Sequence, residues 1–166
     1  MQPLATIRPY EWADRPAVLA VLRSNVPRYF AADEAEGLTR TLDGPDGPHW
    51  VVEADGAVVG YGGFEVSRTY NRVTLCWGMV AAPHHGRGIG HRLLAHRATE
   101  ARRLAPAGTA HLVVDTTPEA AGFYRRHGFE EVSAWPGGYR AGFDMVVLRL
   151  AFGSDAMRAL TEGVER

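Results

Sequence analysis

The chain has 166 residues, and 46% of them are hydrophobic, which is enough for the core of one domain. A formal net charge of −1 gives no bulk attraction for nucleic acid or an anionic membrane, so neither is expected as a partner. The single cysteine, Cys76, excludes an intrachain disulfide and is expected to be a buried, inert thiol. Because neither a basic-then-apolar leader nor an apolar run of about 18 residues occurs, the sequence predicts a soluble, cytoplasmic protein.

Apolar spacing and turn residues predict the elements of the first half of the chain. These are a strand at Ala5–Arg8, helices at Asp14–Ser24 and Asp33–Leu42, and strands at Trp50–Ala54, Ala57–Val66 and Arg72–Val80. Pro16 suits the first turn of the first helix, and Asp33 is expected to cap the second. Asp55-Gly56 is a strong hairpin signal.

The second half continues with alternating helices and strands. The predicted elements are a helix at Arg92–Leu104, a strand at Ala110–Val114, a short helix at Glu119–His127, and strands at Phe129–Ala134 and Asp144–Ala151 around a loop at Pro136–Gly142. Gly128 ends the short helix, and Ser154 can cap a last amphipathic turn. This order predicts an α/β (α+β) fold with a mixed sheet and helices on both faces. One domain is expected over residues 1–152, followed by a helical tail at 153–166.

The segment His84–His91 lies between a predicted strand and a predicted helix and contains glycines at 86, 88 and 90. Backbone N–H groups at the start of a helix attract phosphate, and glycine lets an anion approach the backbone closely. A dinucleotide motif would need glycine at position 91, and a P-loop would need Gly-Lys-Ser/Thr. A phosphate-binding turn of another kind is therefore predicted, with a plain strand-to-helix turn as the alternative.

A second segment, Ala120–Phe129, follows the next predicted strand. Together the two segments resemble the GCN5-related N-acetyltransferases (GNAT). The family pattern Q/R-x-x-G-x-G/A is matched at His85–Gly90, and A-x-x-x-Y-x-x-x-G-F is matched at Ala120–Phe129, with Tyr124 as its tyrosine. The resemblance covers about Trp50 to Leu150 and implies a mostly antiparallel, splayed central sheet.

The resemblance also implies an acetyl-CoA site, with no metal. The residues assigned to it are Met79, Val80, His85, Gly86, Arg87, Gly88, Ile89, Gly90, His91 and Thr117. His85 replaces the family's Gln or Arg, and Thr117 stands where the family often has Asn. Arg87 and Arg92 lie close enough to the loop to help hold phosphates, whereas the outer arginines of this helix, Arg97, Arg102 and Arg103, are expected to face solvent.

Acyl transfer to an amine needs a hydrogen-bond donor that stabilises the oxyanion of the intermediate, an acid that protonates the leaving thiolate, and an amine in its neutral form. In the family the backbone N–H at the Val80 position faces the thioester, between splayed strands. Tyr124 is the candidate acid, because a phenol is a neutral donor at pH 7; a packing tyrosine is the alternative. The strand Val73–Val80 holds no carboxylate, so Glu65 is the first candidate base, Asp115 the second, and a water chain the third.

The acceptor pocket is expected at Asn25–Phe30, near Glu65 and at Trp135–Gly142, with aromatic walls. The histidines lack the H-E-x-x-H spacing of a metal site. The resulting hypothesis is an acetyl-CoA-dependent N-acetyltransferase that acts on a primary amine of a small molecule or peptide. A non-catalytic acyl-CoA-binding module, a protein scaffold, another acyl-CoA, an O-acceptor and a homodimer all stay open.

Overall fold

The computed structural model describes residues 5–163. In chain order it contains β1 (Thr6–Pro9), α1 (Arg15–Ser24), α2 (Glu34–Asp43), β2 (His49–Ala54), β3 (Ala57–Ser67), β4 (Arg72–Val80), α3 (Ile89–Leu104), β5 (His111–Thr116), α4 (Pro118–Arg126), β6 (Glu130–Arg140), β7 (Phe143–Ala151) and α5 (Asp155–Glu162). The strands form one sheet in the order β1-β2-β3-β4-β5-β7-β6. The sheet is mostly antiparallel, as predicted, and β4 and β5 form a parallel pair. Within the described residues, none of the helices combines the length and apolarity needed to cross a membrane.

The chain divides into two compact units, and β3, β4 and α3 contribute to both. The first unit contains residues 5–65 together with Cys76–Arg97. The second contains Val66–Leu75 and residues 98–163. Each unit has its own set of buried apolar side chains.

In the first unit, helices cover both faces of the β2–β3 hairpin. On one face, side chains of α1 and α2 pack on the hairpin: Val18, Leu22, Leu38 and Leu42 against Val51 and Tyr61. On the other face, Ile89 and Leu93 of α3 pack against Val52 and Val59. The hairpin turn is the predicted one, since Asp55 and Gly56 both have positive φ, 53° and 77°. This packing fixes the start of α3 against the sheet.

In the second unit, β5 pairs with β4 over Arg72–Leu75 and with β7 along its whole length. Gly128 ends α4 at φ +88°, and a Cβ there would lie 2.4 Å from the Cβ of Ala156, so the tight approach of α5 requires glycine. The Ser154 side chain accepts the Met157 N–H at 3.1 Å and caps α5, which is a full helix rather than a single turn.

Several predicted boundaries were wrong. The loop predicted at Pro136–Gly142 is mostly strand, because β6 continues to Arg140 with an irregular register after Trp135. Gly137 has φ +64°, and its N–H donates a hydrogen bond to the Asp144 carboxylate at 2.8 Å. The Pro-Gly-Gly run therefore marks an irregularity in a strand at the edge of the sheet rather than a loop.

Helix starts also differ from the prediction. The helix α3 begins at Ile89, three residues before Arg92, because Gly90 adopts helical geometry instead of remaining in the turn. The side chain of Asp33 does not cap α2. Instead, the Glu34 carboxylate accepts the Ala31 N–H at 2.6 Å and holds the residues that precede this helix.

Candidate functional site

The predicted phosphate loop is an open turn directly before α3. Gly86 and Gly88 have φ of +75° and +78°, and a Cβ at either position would meet no atom within 4 Å. Ile89 is only 6% exposed and anchors the first turn of the helix in the core. The first turn of a helix presents backbone N–H groups that lack partners within the helix. Open space in front of such groups fits a bound pyrophosphate.

The side chains of the loop differ in their role. His85, Gly86, Arg87, Gly88 and His91 are exposed to solvent. The side chain of His85 turns back to the strand, where its Nε2 lies 2.7 Å from the carbonyl oxygen of Val80. A nitrogen that faces a carbonyl oxygen must carry a proton, so His85 donates here.

The C-terminal end of β4 is fixed by further hydrogen bonds. Asn25, at the end of α1, is 4% exposed and donates from Nδ2 to the carbonyl oxygen of Val80 at 2.9 Å. The Ala81 N–H donates to Val59 at 2.8 Å, so both ends of the peptide group that joins Val80 to Ala81 are held. Met79 is 5% exposed and belongs to the core. Sequence reasoning placed Asn25 only in the acceptor segment, although a polar residue at the end of an apolar helix was a signal.

Trp77, in the middle of β4, has φ +56°, which is rare for a bulky residue. Its indole Nε1 donates to the Thr41 Oγ1 at 3.0 Å, and its ring stacks on Phe30 with centroids 6.2 Å apart. Sequence reasoning missed this strained residue. Gly78 immediately after it was the available signal, because glycine inside a strand often marks a bulge.

In the second unit, Tyr124 lies on α4 and is 6% exposed. Its ring contacts Phe123 and Phe129, with centroids 5.1 Å and 5.4 Å away. Among the described residues, none forms a hydrogen bond with its hydroxyl. Thr117 lies directly before α4, and its buried Oγ1 forms no hydrogen bond with any described residue. A buried hydroxyl without a partner, such as that of Thr117, is expected where a ligand supplies the missing partner.

The two candidate bases belong to different units. Glu65 is exposed near the end of β3 in the first unit. Asp115, on β5 in the second unit, is exposed as well, but partial desolvation of its carboxyl raises its pKa, and the positive charge of Arg72 opposes the shift. The pKa of Asp115 is therefore shifted in the direction that favours a base near neutral pH.

The expectation that Arg97 faces solvent was wrong. Arg97 is 2% exposed and lies against Gly62 and Gly78; a Cβ at position 78 would come within 2.6 Å of its Nη2. Glycines on the two strands beneath the helix make the room that this side chain needs. Cys76 was expected to be buried but is half-buried, and its Sγ lies 3.9 Å from the Nε2 of His49.

Across residues 5–163, no three histidine, cysteine or acidic side chains are grouped as metal ligands would be. The aromatic acceptor residues are also divided between the units. Tyr29 and Phe30 lie in the first, whereas Trp135 and Tyr139 lie on β6 in the second.

Comparisons with known proteins agree with this fold. A family model described as an acetyltransferase (GNAT) domain matches residues 45–131, just over half of the chain. No curated protein sequence matches the chain. Among solved structures, a GNAT-family acetyltransferase from Desulfovibrio desulfuricans is 24% identical with a TM-score of 0.76, and the match covers 89% of this chain and 99% of that protein.

Other solved structures match over similar lengths. The ribosomal-protein-alanine N-acetyltransferase from Brucella melitensis is 25% identical with a TM-score of 0.71, and 88% of this chain and 99% of that one are covered. An acetyltransferase from Salmonella typhimurium, solved with acetyl-CoA, is 22% identical with a TM-score of 0.70, and the match covers 92% of this chain and 96% of that one. The matched domain and the shared fold establish that this chain belongs to the GNAT acetyltransferase family.

Proposed function

We propose that this protein transfers the acetyl group of acetyl-CoA to a primary amine of a small molecule or a peptide. The observation that carries the proposal is the loop before α3. Two glycines with positive φ border open space at the N-terminus of a 16-residue helix. Such an arrangement suits the pyrophosphate of CoA, and the acetyl-CoA-bound relative from Salmonella typhimurium supports the choice of ligand.

When bound, acetyl-CoA supplies an activated thioester. The backbone N–H groups at Gly88–His91 hold the pyrophosphate, and Arg87 and Arg92 add positive charge beside it. Thr117 offers a hydroxyl that lacks a protein partner within the described residues, which suits a polar group of the pantetheine arm. Met79 and Val80, at the end of β4 in the first unit, are proposed to contact bound acetyl-CoA.

The remaining chemistry is assigned to side chains. The hydroxyl of Tyr124 donates a proton to the departing thiolate. A neutral phenol can serve as this donor because it carries an O–H group. Glu65 or Asp115 accepts the proton of the amine, directly or through a water molecule. The raised pKa of Asp115 is a reason to test it beside Glu65, which was the first choice from the sequence.

The test is a search for product. The purified protein is incubated with acetyl-CoA and a panel of amines that includes polyamines, amino acids and peptides with N-terminal alanine, because the relative from Brucella melitensis is a ribosomal-protein-alanine N-acetyltransferase. Mass spectrometry should detect an N-acetylated product with at least one acceptor. Binding of CoA without transfer to any amine or hydroxyl compound would instead support a non-catalytic acyl-CoA-binding module.

A further inference from the structure

The carbonyl oxygen of Val80 accepts two side-chain hydrogen bonds, and these come from different parts of the chain. Asn25 donates from the end of α1 at 2.9 Å, and His85 donates from the first position of the phosphate motif at 2.7 Å. The Nδ2 of Asn25 also lies 2.9 Å from the carbonyl oxygen of Val21. The two nearest neighbours of this nitrogen are carbonyl oxygens, and the Ser24 Oγ lies 3.4 Å away, so the carboxamide has only one satisfactory orientation.

A neighbouring bond continues the connection beyond Val80. The hydroxyl of Ser24 accepts the Ala82 N–H at 3.0 Å and donates to Val21 at 2.7 Å. The end of α1 therefore holds the chain at Val80 and at Ala82, directly before the glycine motif. A loop whose starting point is held in this way loses less conformational entropy when it binds a ligand.

The same asparagine also organises the segment that follows α1. Its backbone carbonyl accepts the N–H groups of Tyr29 at 2.9 Å and Phe30 at 3.3 Å. Tyr29 in turn packs edge-on against His85, with ring centroids 5.7 Å apart. The segment Asn25–Phe30 is thus linked to His85 in two ways: Asn25 and His85 share the Val80 carbonyl as acceptor, and Tyr29 contacts the ring of His85.

We infer that Asn25 and His85 are positioning residues that couple the CoA loop to the segment Asn25–Phe30. The inference rests on the proposed function for the identity of the ligand and of the acceptor side. When CoA occupies the loop, it restricts the motion of the loop and of the His85 ring; the contacts of His85 with the ring of Tyr29 and the Val80 carbonyl then extend this restriction to the segment. Acceptor-side residues are thereby arranged by the bound co-substrate, without direct contact between them and the pyrophosphate.

The test is hydrogen exchange, measured by mass spectrometry on the full chain with and without CoA. In the wild type, CoA should slow amide exchange at residues 85–90 and also at residues 25–33. In His85→Phe, which keeps an aromatic ring but loses the donor, protection at 85–90 should persist while protection at 25–33 falls. The affinity for CoA, measured by isothermal titration, should weaken about 2- to 10-fold, as expected for one hydrogen bond.

Conservative and buried-site variants complete the design. His85→Gln can still donate to Val80, and it should restore most of the protection at 25–33. Asn25→Leu should reproduce the loss seen in His85→Phe, and its effect should not add to that of His85→Phe, because both donors act on one carbonyl. The melting temperature of each variant is measured as well. If Asn25→Leu does not fold, the comparison of His85→Gln with His85→Phe still tests the coupling.

Protection confined to residues 85–90 in the wild type would overturn the coupling but leave CoA binding intact. Equal behaviour of His85→Gln and His85→Phe would also overturn it. An absence of CoA protection anywhere would overturn both the coupling and the proposed function.

Discussion

The hydroxyl of Tyr61 lies 2.5 Å from the Nδ1 of His49, inside the first unit, where His49 is only 6% exposed. Burial, helped by the nearby positive charge of Arg97, lowers the pKa of His49 to about 4, and the charge of Asp46 partly opposes the shift. Burial also raises the pKa of Tyr61. Both groups of this pair are therefore neutral near pH 7, and the pair serves the structure rather than the proposed chemistry.

Stability should fall as the pH decreases through the window set by this histidine. In the unfolded chain a histidine titrates near 6.5, so between about 6.5 and 4 the unfolded state binds more protons than the native state. The contribution of His49 is fully present above this window and is lost below it, with a total of about 3 kcal/mol.

Urea unfolding at a series of pH values measures this loss. His49→Gln should flatten the dependence of the free energy of unfolding between pH 6.5 and 4. If the slopes of wild type and His49→Gln were the same, His49 would not carry the effect.

CoA binding should depend on Gly88 more than on the side chain of His85. Valine at φ +78° is strained, and its side chain would enter the open space in front of the first turn of α3. Gly88→Val should abolish CoA binding in isothermal titration, whereas His85→Ala should weaken it by no more than about tenfold.

A matched control separates the effect of backbone strain from the effect of a side chain that blocks the ligand site. Gly142 has φ +83° and no atom within 4 Å of its Cβ position, and it lies outside the motif. Gly142→Val should therefore bear comparable backbone strain and keep CoA affinity. Equal losses for Gly88→Val and His85→Ala would show that the side chain, not the backbone, anchors the ligand.

The sequence correctly predicted the glycine-containing turn between β4 and α3 and both ends of β4, because glycine spacing and apolar runs are local signals. It could not show that Arg97 is buried, since the room for its side chain comes from Gly62 and Gly78 on two other elements. The strained Trp77 escaped prediction for a similar reason, because Thr41 and Phe30, which contact its side chain, are more than 30 positions away in the sequence.

Tyr124→Phe should lower turnover much more than it lowers CoA affinity. The ring packs between Phe123 and Phe129 in both forms, so only the donor is removed. General-acid groups contribute about 10²- to 10⁴-fold in rate, and a loss of that size in kcat is expected. Tyr70→Phe, at a residue that is 70% exposed, is the control. Wild-type turnover in Tyr124→Phe would make Tyr124 a packing residue.

The base is assigned by comparing two isosteric variants. If Glu65 accepts the amine proton, Glu65→Gln should lower kcat/KM and remove the acidic limb of its pH profile, while Asp115→Asn should not. Because an alkylammonium group has a pKa near 10, a variant without its base should recover rate as the pH rises. A normal profile for Glu65→Gln together with a loss for Asp115→Asn would transfer the role to Asp115, and normal profiles for both would indicate bulk water.

The most direct test of acetyl transfer by this protein is the release of CoA thiol from acetyl-CoA, measured together with the amount of acetylated acceptor in the same reaction. With wild-type protein, thiol and acetylated amine should appear in equal amounts. Gly88→Val should release neither, and Tyr124→Phe should release both slowly. Tight binding of CoA by the wild type, with no thiol released above the background rate for any acceptor, would contradict the assignment of this protein as an acetyl-transferring enzyme.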